Sequence, residues 1–312
     1  MISKRLIGLN ENQMQLIFKS DKILSLIIVV SSCAWGLYWL PLRSIEQSGI
    51  VGSWSIVLVN ACPLLILVPL IFFNLDKLKK YPKPIFFAGI MIGAAFTFYA
   101  NGLVETSVIR ATLLFYLSPI WSTIIGIIWL NERLTIARVI SIIVALIGII
   151  FLLYDFRDQE TVILNFGDFS SILSGLFWAL GASILKKWSN LPIIPLTAIV
   201  YFSTTSLSIL LAIVVYKAPI PSLALIGQNF PIAFIWSVIV LLPSFCIIFR
   251  ISQILFPGRV GILMMSEVAV AVISAKILLP EEQMVVLQWI GALAILLAGV
   301  VEIIFGFSKK NT

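Results

Sequence analysis

Ten mostly apolar runs, each about 20 residues in length, account for most of this sequence. An α-helix needs about 20 residues to cross the roughly 30 Å hydrocarbon core of a bilayer, whereas a membrane-spanning β-strand needs about 10 residues of alternating polarity. These runs do not alternate, so they predict an all-α integral membrane protein with ten transmembrane helices. They lie at about 23–42, 50–74, 84–104, 110–130, 136–154, 168–186, 195–216, 231–249, 259–279 and 285–307.

The composition excludes several other classes of protein. Hydrophobic residues make up 61% of the 312 residues and charged residues 11%, against about 45–50% and about 25% in soluble domains. The net charge of +7 does not indicate nucleic-acid binding, because the basic residues lie in short segments between apolar runs. The sequence contains no histidine, which excludes His-dependent nucleophiles and His-ligated haem or zinc. The three cysteines lie within apolar runs without a metal-ligand spacing, so we predict no metal, no other cofactor and no enzymatic activity.

The basic residues predict the orientation of the chain in the membrane. If the N-terminus lies in the cytoplasm and ten helices alternate in direction, 16 lysine and arginine residues fall on the cytoplasmic side and 5 on the other side. Cytoplasmic loops of membrane proteins carry such an excess of positive charge. We therefore expect both termini to be cytoplasmic.

The fourth and ninth runs indicate an internal duplication. The segment RATLLFYLSPIWSTIIGIIWLNER at 110–133 has a counterpart of equal length, RVGILMMSEVAVAVISAKILLPEE, at 259–282. An arginine opens each segment and a glutamate lies near its end, with an offset of 149 residues between the two copies: Arg110 and Glu132, then Arg259 and Glu281. Ten helices then divide into two repeats of five, and the odd number makes the second repeat inverted relative to the first.

This duplication predicts the organisation of the whole chain. We expect a cytoplasmic segment over 1–22, a first repeat over 23–154, an external loop over 155–167, a second repeat over 168–307 and a cytoplasmic tail over 308–312. Helices five and ten are almost uniformly apolar, so we expect them to face lipid or a second copy of the chain in a homodimer.

The segment TLLFYLSPIWSTIIGIIWLNERLT (112–135), with Pro119 in mid-helix, is followed by ALIGIIFLLY (145–154). These residues resemble the drug/metabolite transporter superfamily, specifically its ten-helix carriers with two EamA-type repeats. The ninth run departs from that pattern, because it has SEVAV with Glu267 where the family commonly carries a mid-helix proline. The resemblance implies secondary transport of small metabolites across the bacterial inner membrane, often efflux, through a central cavity lined by helices of both halves.

Glu267 is the residue most expected to take part in transport. It lies eight residues after Arg259, which places it about 12 Å into the membrane at about 1.5 Å per residue. A charge near the midplane costs about 2.5–3.5 kcal/mol on insertion scales, and ionisable residues there usually face a cavity and act in transport. We interpret Glu267 as a proton carrier or as the counter-ion of a cationic substrate. The alternative is a neutral acid hydrogen-bonded to a neighbouring helix.

Polar and aromatic residues of other runs are candidates for the wall of a substrate cavity. Aromatic rings and one carboxylate suit an organic cation through cation–π attraction, although aromatic residues are also common at membrane interfaces. The candidates are Trp35, Tyr38, Tyr99, Asn101, Tyr116, Ser118 and Trp178.

Two prolines and five charged residues receive a structural interpretation. Pro119 and Pro243 are predicted to kink their helices, because proline removes a backbone hydrogen bond. The charged residues are interpreted as topology signals or helix-end charges: Arg110, Glu132, Arg250, Arg259 and Glu281.

These features together predict a secondary transporter that works by alternating access. Its expected activity is efflux of amino-acid-like or other small polar solutes, with proton coupling as one option. One alternative is a carrier of choline-like or drug-like organic cations recognised by the aromatic residues and Glu267. An alternative of another class is a membrane protein that scrambles lipid or transports nothing. The expected partners are a small-molecule substrate and membrane lipid, and not nucleic acid.

Overall fold

The computed structural model describes residues 21–153, 165–279 and 285–305, and these residues are almost entirely helical, with no β-strand among them. In chain order the helices are α1 Asp21–Trp35, α2 Trp39–Gln47, α3 Ser53–Ala61, α4 Leu64–Phe72, α5 Leu75–Lys80, α6 Pro82–Glu105, α7 Val108–Phe115, α8 Ser118–Leu130, α9 Ile136–Leu153, α10 Phe166–Lys187, α11 Ile193–Leu210, α12 Leu223–Phe234, α13 Leu242–Ser252, α14 Pro257–Met264, α15 Ser266–Leu278 and α16 Val286–Phe305. Two π-helical segments, Leu211–Val215 and Ile235–Leu241, extend α11 and join α12 to α13.

Seven helical segments of the described residues are long and apolar enough to cross a membrane, and the bent pair α3–α4 makes an eighth. The two remaining apolar runs of the sequence form α9, with 18 residues, and α16, with 20 residues. The chain is therefore an all-helical, multi-pass membrane protein in the part described. Ten membrane crossings stay a prediction.

The fourth and ninth apolar runs are each broken into two helices at matching places. α7 ends at Phe115 and α8 begins at Ser118, while α14 ends at Met264 and α15 begins at Ser266. Phe115 and Met264 are 149 residues apart, which is the offset between the two runs in the sequence. The breaks therefore lie at equivalent positions of the duplicated segments.

Both predicted kink prolines lie just after a discontinuity rather than inside a regular helix. Pro119 is the second residue of α8, immediately after the break in the fourth run. Pro243 is the second residue of α13, and the π-helical segment Ile235–Leu241 precedes it. At Pro119 the proline costs little, because in the first turn of a helix the amide proton that it lacks would have no intrahelical acceptor.

The eighth helical span begins earlier than the sequence suggests. The predicted eighth run begins at about residue 231, but α12 begins at Leu223 and contains Pro231 in its interior. The hydroxyl of Ser222 caps the helix by accepting a bond from the Leu225 amide at 3.3 Å. The Asn229 side chain bonds the Leu225 carbonyl at 3.0 Å, so its polar group is satisfied within the helix.

α6 lies against α10 and α11 at very short range. A Cβ atom on Gly181 of α10 would lie 2.4 Å from Cγ1 of Ile92, and a Cβ on Gly102 of α6 would lie 2.1 Å from Oγ of Ser171. Only glycine permits helix backbones to approach this closely. The α6–α10 pair therefore joins the two halves of the sequence along most of its length.

α9 and α16 pack against each other at the edge of the bundle. Their outer faces carry exposed apolar side chains, among them Ile136, Ile140, Ile143, Ile150, Val286, Leu293, Leu297 and Phe305. Such a surface suits contact with lipid or with a second copy of the chain, and the homodimer stays a prediction.

Candidate functional site

The carboxyl group of Glu267 is fully buried in the bundle, with 0% of the residue exposed. Glu267 is the second residue of α15, directly after the break in the ninth run. The Tyr99 hydroxyl donates to its Oε1 at 3.0 Å, and the Tyr116 hydroxyl lies 2.7 Å from its Oε2. The Trp35 indole also faces the carboxyl group. Residues from the first half of the sequence thus surround an acid from the second half.

The two tyrosines have further partners. The Tyr116 hydroxyl also lies 2.6 Å from the carbonyl oxygen of Met264, the last residue of α14. The Tyr99 hydroxyl lies 3.2 Å from Oγ1 of Thr112, which donates to the Val108 carbonyl at 2.7 Å. Because α7 ends at Phe115, Tyr116 occupies one helix break and reaches the carbonyl at the other.

Trp35 is the centre of a cluster of aromatic rings beside Glu267. Its ring centroid lies 4.6 Å from Tyr38, 4.9 Å from Phe96, 5.4 Å from Tyr99 and 4.6 Å from Phe245. All five side chains are buried. Residues of α1 and α6 from the first half therefore meet Phe245 of α13 from the second half. We call these five residues the aromatic cluster.

The structure brings most of the predicted cavity residues to this cluster or to its edge. Trp178 of α10 stacks on Phe96 with centroids 6.4 Å apart, which places it at the edge. Ser118 is buried at the start of α8, where its Cβ lies 3.3 Å from the position of a Cβ on Gly175 of α10.

Asn101, one of the predicted cavity residues, has partners other than the cluster. Its side chain accepts from the Ser53 hydroxyl at 2.6 Å and donates to the Thr97 carbonyl at 2.7 Å. It therefore links α6 to the start of α3 rather than contacting Glu267 or the rings.

Three residues of the site were not predicted from the sequence. Asn60 of α3 donates to the Tyr38 hydroxyl at 2.8 Å and to the Ile56 carbonyl at 2.9 Å. Phe96 and Phe245 belong to the aromatic cluster itself. An asparagine within an apolar run is a signal that could have identified Asn60, whereas a phenylalanine among apolar residues gives no signal.

The charged residues at helix ends fall into ion pairs and buried contacts. Arg110 and Asp168 form an ion pair at 2.7 Å in which Asp168 is fully buried. Asp168 also forms a capping box with Asn165 at the start of α10. The pair therefore connects the starts of α7 and α10.

Other charged residues link elements at the opposite ends of these helices. Glu132 and Arg138 form a buried ion pair between the end of α8 and the start of α9. Arg259 is 5% exposed and donates to the Ser25 hydroxyl at 2.9 Å. Arg250 is exposed and donates to Gln253 at 2.9 Å, and Glu281 lies outside the described residues.

Among the residues that the structure describes, no group of three or more Cys, Asp or Glu side chains has the arrangement of a metal site. The polar chemistry near the centre of the bundle is thus the Glu267 carboxyl group, the hydroxyl groups around it and the faces of the aromatic cluster.

Comparison with known proteins gives a shared fold and a family match over the first part of the chain. A solved crystal structure matches 90% of this chain and 96% of its own length, with a TM-score of 0.64 and 19% identical residues, so the two share a fold. No curated protein matches the sequence. The family model for the EamA-like transporter family matches residues 22–154, which covers the predicted first repeat. Residues 22–154 are thus similar to the EamA-like transporter family, whose members are membrane proteins that transport small molecules.

Proposed function

We propose that this chain is a secondary transporter that exports small solutes bearing a positively charged group, and that Glu267 binds either that group or a proton. Amino-acid-like zwitterions and choline-like cations both carry such a group. The observation that carries the proposal is the fully buried Glu267 carboxyl group, which two tyrosines contact beside the aromatic cluster.

The cost of burying a charge supports this assignment. An ionised carboxylate away from water costs several kcal/mol unless a partner compensates it, and intramembrane acids usually act in transport for that reason. Aromatic faces attract organic cations, by about 2 kcal/mol or more where water is excluded. A solute cation between Glu267 and the rings of Trp35 and Tyr99 would satisfy both groups together.

The hydroxyl group of Tyr116 supports the exchange of this cation for a proton. It lies 2.6 Å from the Met264 carbonyl and 2.7 Å from Oε2 of Glu267, but it has only one proton to donate. Both contacts can be hydrogen bonds at the same time when Glu267 carries a proton. Glu267 then donates to the Tyr116 oxygen, and the Tyr116 hydroxyl donates to the Met264 carbonyl. This arrangement thus fits a carrier in which Glu267 is protonated. In its ionised form, Glu267 would bind the solute cation instead.

The duplicated segments support alternating access. The matching breaks at Phe115 and Met264 fit two inverted five-helix repeats with the site between them. Broken helices at a repeat interface are typical of substrate sites in secondary transporters. We place the protein in the bacterial inner membrane with both termini in the cytoplasm, on the basis of the excess of basic residues in the segments assigned to that side.

Flux measurements in proteoliposomes test the proposal. Vesicles containing the purified protein would be loaded with radiolabelled choline or with a labelled amino acid, and efflux would be followed with and without a pH gradient. We expect saturable efflux that a gradient accelerates, and loss of that acceleration in Glu267→Gln. The proposal fails if no saturable flux of any cationic or zwitterionic solute is found. Transbilayer movement of labelled lipid in the same vesicles would favour a scramblase instead.

A further inference from the structure

Three hydroxyl groups along one face of α11 have no hydrogen-bond partner among the residues that the structure describes: those of Tyr201, Thr205 and Ser208. The three residues follow one another at spacings of four and three, so they lie on the same side of the helix. Their exposed fractions are 1%, 9% and 0%. Buried polar groups are almost always paired, so a row of unpaired ones calls for an explanation.

Neighbouring hydroxyl groups of the same helix are paired. The Thr204 hydroxyl contacts the Val200 carbonyl at 2.9 Å and the Gly93 carbonyl at 3.3 Å. The Thr197 hydroxyl lies 3.7 Å from the sulfur of Cys246. Thr204 thus bonds toward α6, and Thr197 lies against Cys246 of α13.

Tyr201 is the most informative residue of the three. Serine and threonine hydroxyls inside a helix can turn back to a carbonyl of their own helix, but a phenol hydroxyl lies too far from its own backbone to do so. The membrane interior offers little water as a substitute partner. The Tyr201 hydroxyl therefore needs a partner from outside the described side chains.

The aromatic cluster connects Tyr201 to Glu267. The Tyr201 ring lies edge-on to Phe245 at 6.2 Å, and Phe245 lies 4.6 Å from Trp35. Trp35 lies 5.4 Å from Tyr99, whose hydroxyl binds Glu267. A series of neighbouring aromatic rings thus runs from the Glu267 carboxyl group to the unpaired Tyr201 hydroxyl.

We infer that the Tyr201 hydroxyl is a second recognition point, which binds a hydrogen-bonding group of the solute whose positive charge is held by Glu267. This inference rests on the proposed function and narrows its substrate class to organic cations that carry a hydroxyl, carbonyl or carboxylate group at the end away from the charge. Thr205 and Ser208 continue the row along α11 and offer the next hydrogen bonds along the helix.

A matched pair of solutes tests the inference. Choline carries a hydroxyl group, and propyltrimethylammonium has a methyl group in its place. We expect wild-type protein in proteoliposomes to have a lower KM for choline, and Tyr201→Phe to reduce the choline preference by about three- to tenfold, as loss of one hydrogen bond predicts. Tyr216→Phe is the control, because its buried hydroxyl also lacks a described partner but Tyr216 lies outside the aromatic cluster. This variant should keep the wild-type preference.

A second measurement separates recognition from folding. Since the Tyr201 hydroxyl has no described partner, its removal should leave the thermal unfolding temperature of solute-free protein unchanged or raise it. A clear fall would show that the hydroxyl has a structural partner and would overturn the inference.

The kinetic outcomes are equally distinct. An unchanged solute preference in Tyr201→Phe, or a wild-type protein that does not distinguish the two solutes, would overturn the inference while the proposed function stands. If the wild-type protein transports neither cation, organic cations are excluded as substrates, and the inference is overturned with them. An amino acid and the corresponding amine without its carboxyl group would then test whether the proposed function survives for zwitterions.

Discussion

The Tyr116 hydroxyl lies 2.7 Å from the Glu267 carboxyl group although the two residues are 151 positions apart in the sequence. The same hydroxyl reaches the Met264 carbonyl at 2.6 Å. It therefore joins the broken fourth apolar run, the broken ninth apolar run and the one fully buried glutamate among the described residues.

The Tyr116→Phe substitution should destabilise the protein. It removes the hydroxyl and leaves Oε2 of Glu267 and the Met264 carbonyl without this partner in a buried setting, which costs about 1–3 kcal/mol. Thermal unfolding of the purified protein in detergent would measure the change. Tyr216→Phe is the matched control, since its hydroxyl has no hydrogen-bond partner among the described residues. Equal unfolding temperatures for the two variants would argue against the bridging role of Tyr116.

The Glu267→Gln substitution should preserve the fold and lower coupled transport by at least about tenfold, as loss of an interaction worth about 1.4 kcal/mol predicts. Glutamine has the same shape and can accept from Tyr99 and donate to Tyr116, but it cannot exchange a proton. Flux in proteoliposomes at acidic and alkaline pH would show a pH dependence in wild type and none in the variant. Glu105→Gln, at an exposed helix end, is the control that should retain the dependence. Undiminished, pH-dependent flux in Glu267→Gln would make this acid structural.

The Gly36→Ala substitution should weaken the contact between α1 and α15 beside the site. A Cβ atom on Gly36 would lie 2.6 Å from the backbone oxygen of Glu267 and 3.0 Å from Cβ of Val270. Such overpacking costs about 1–3 kcal/mol. Gly227→Ala is the control inside α12, where the added Cβ meets nothing within 4 Å and should stabilise the helix by about 0.5–1 kcal/mol. We expect Gly36→Ala to lower the unfolding temperature and Gly227→Ala to raise it. Shifts in the same direction would show that the close contact at Gly36 is not the cause.

The Asp168→Asn substitution should lower the free energy of unfolding by about 1–3 kcal/mol. Asp168 is buried and pairs with Arg110 at 2.7 Å, and asparagine keeps the shape while removing the charge. Asp76→Asn, on the exposed helix α5, should change the unfolding temperature little. If the two variants have the same unfolding temperature, the ion pair between Asp168 and Arg110 contributes nothing measurable to stability.

The helical spans and the central acid could be predicted from the sequence, because the length of an apolar run and the depth of a charge within it are local properties. The break before Pro119 has a local signal, but the equivalent break at Met265 has no proline and becomes visible only through the 149-residue offset. The predicted eighth run also begins too late, at about residue 231, because the bond from Asn229 to Leu225 satisfies that polar group inside the helix.

The contacts of the site were beyond prediction for a different reason. Whether Tyr99 or Asn101 faces Glu267 depends on the rotation of α6 about its own axis, and packing against α10 and α11 determines that rotation. The structure directs Tyr99 to the acid and Asn101 to Ser53. The aromatic cluster likewise needs Phe245, which looks like any other apolar residue of its run.

A carrier that opens alternately to two sides needs a line along which its halves stay together, and the close pairing of α6 with α10 fits that requirement. With Ile92 against Gly181 and Ser171 against Gly102, neither helix can slide past the other without a steric clash. In the proposed transport cycle the halves would then rotate about this pair as an axis. Side chains enlarged along the axis would then slow both openings alike, whereas enlargement near one end would favour one opening over the other.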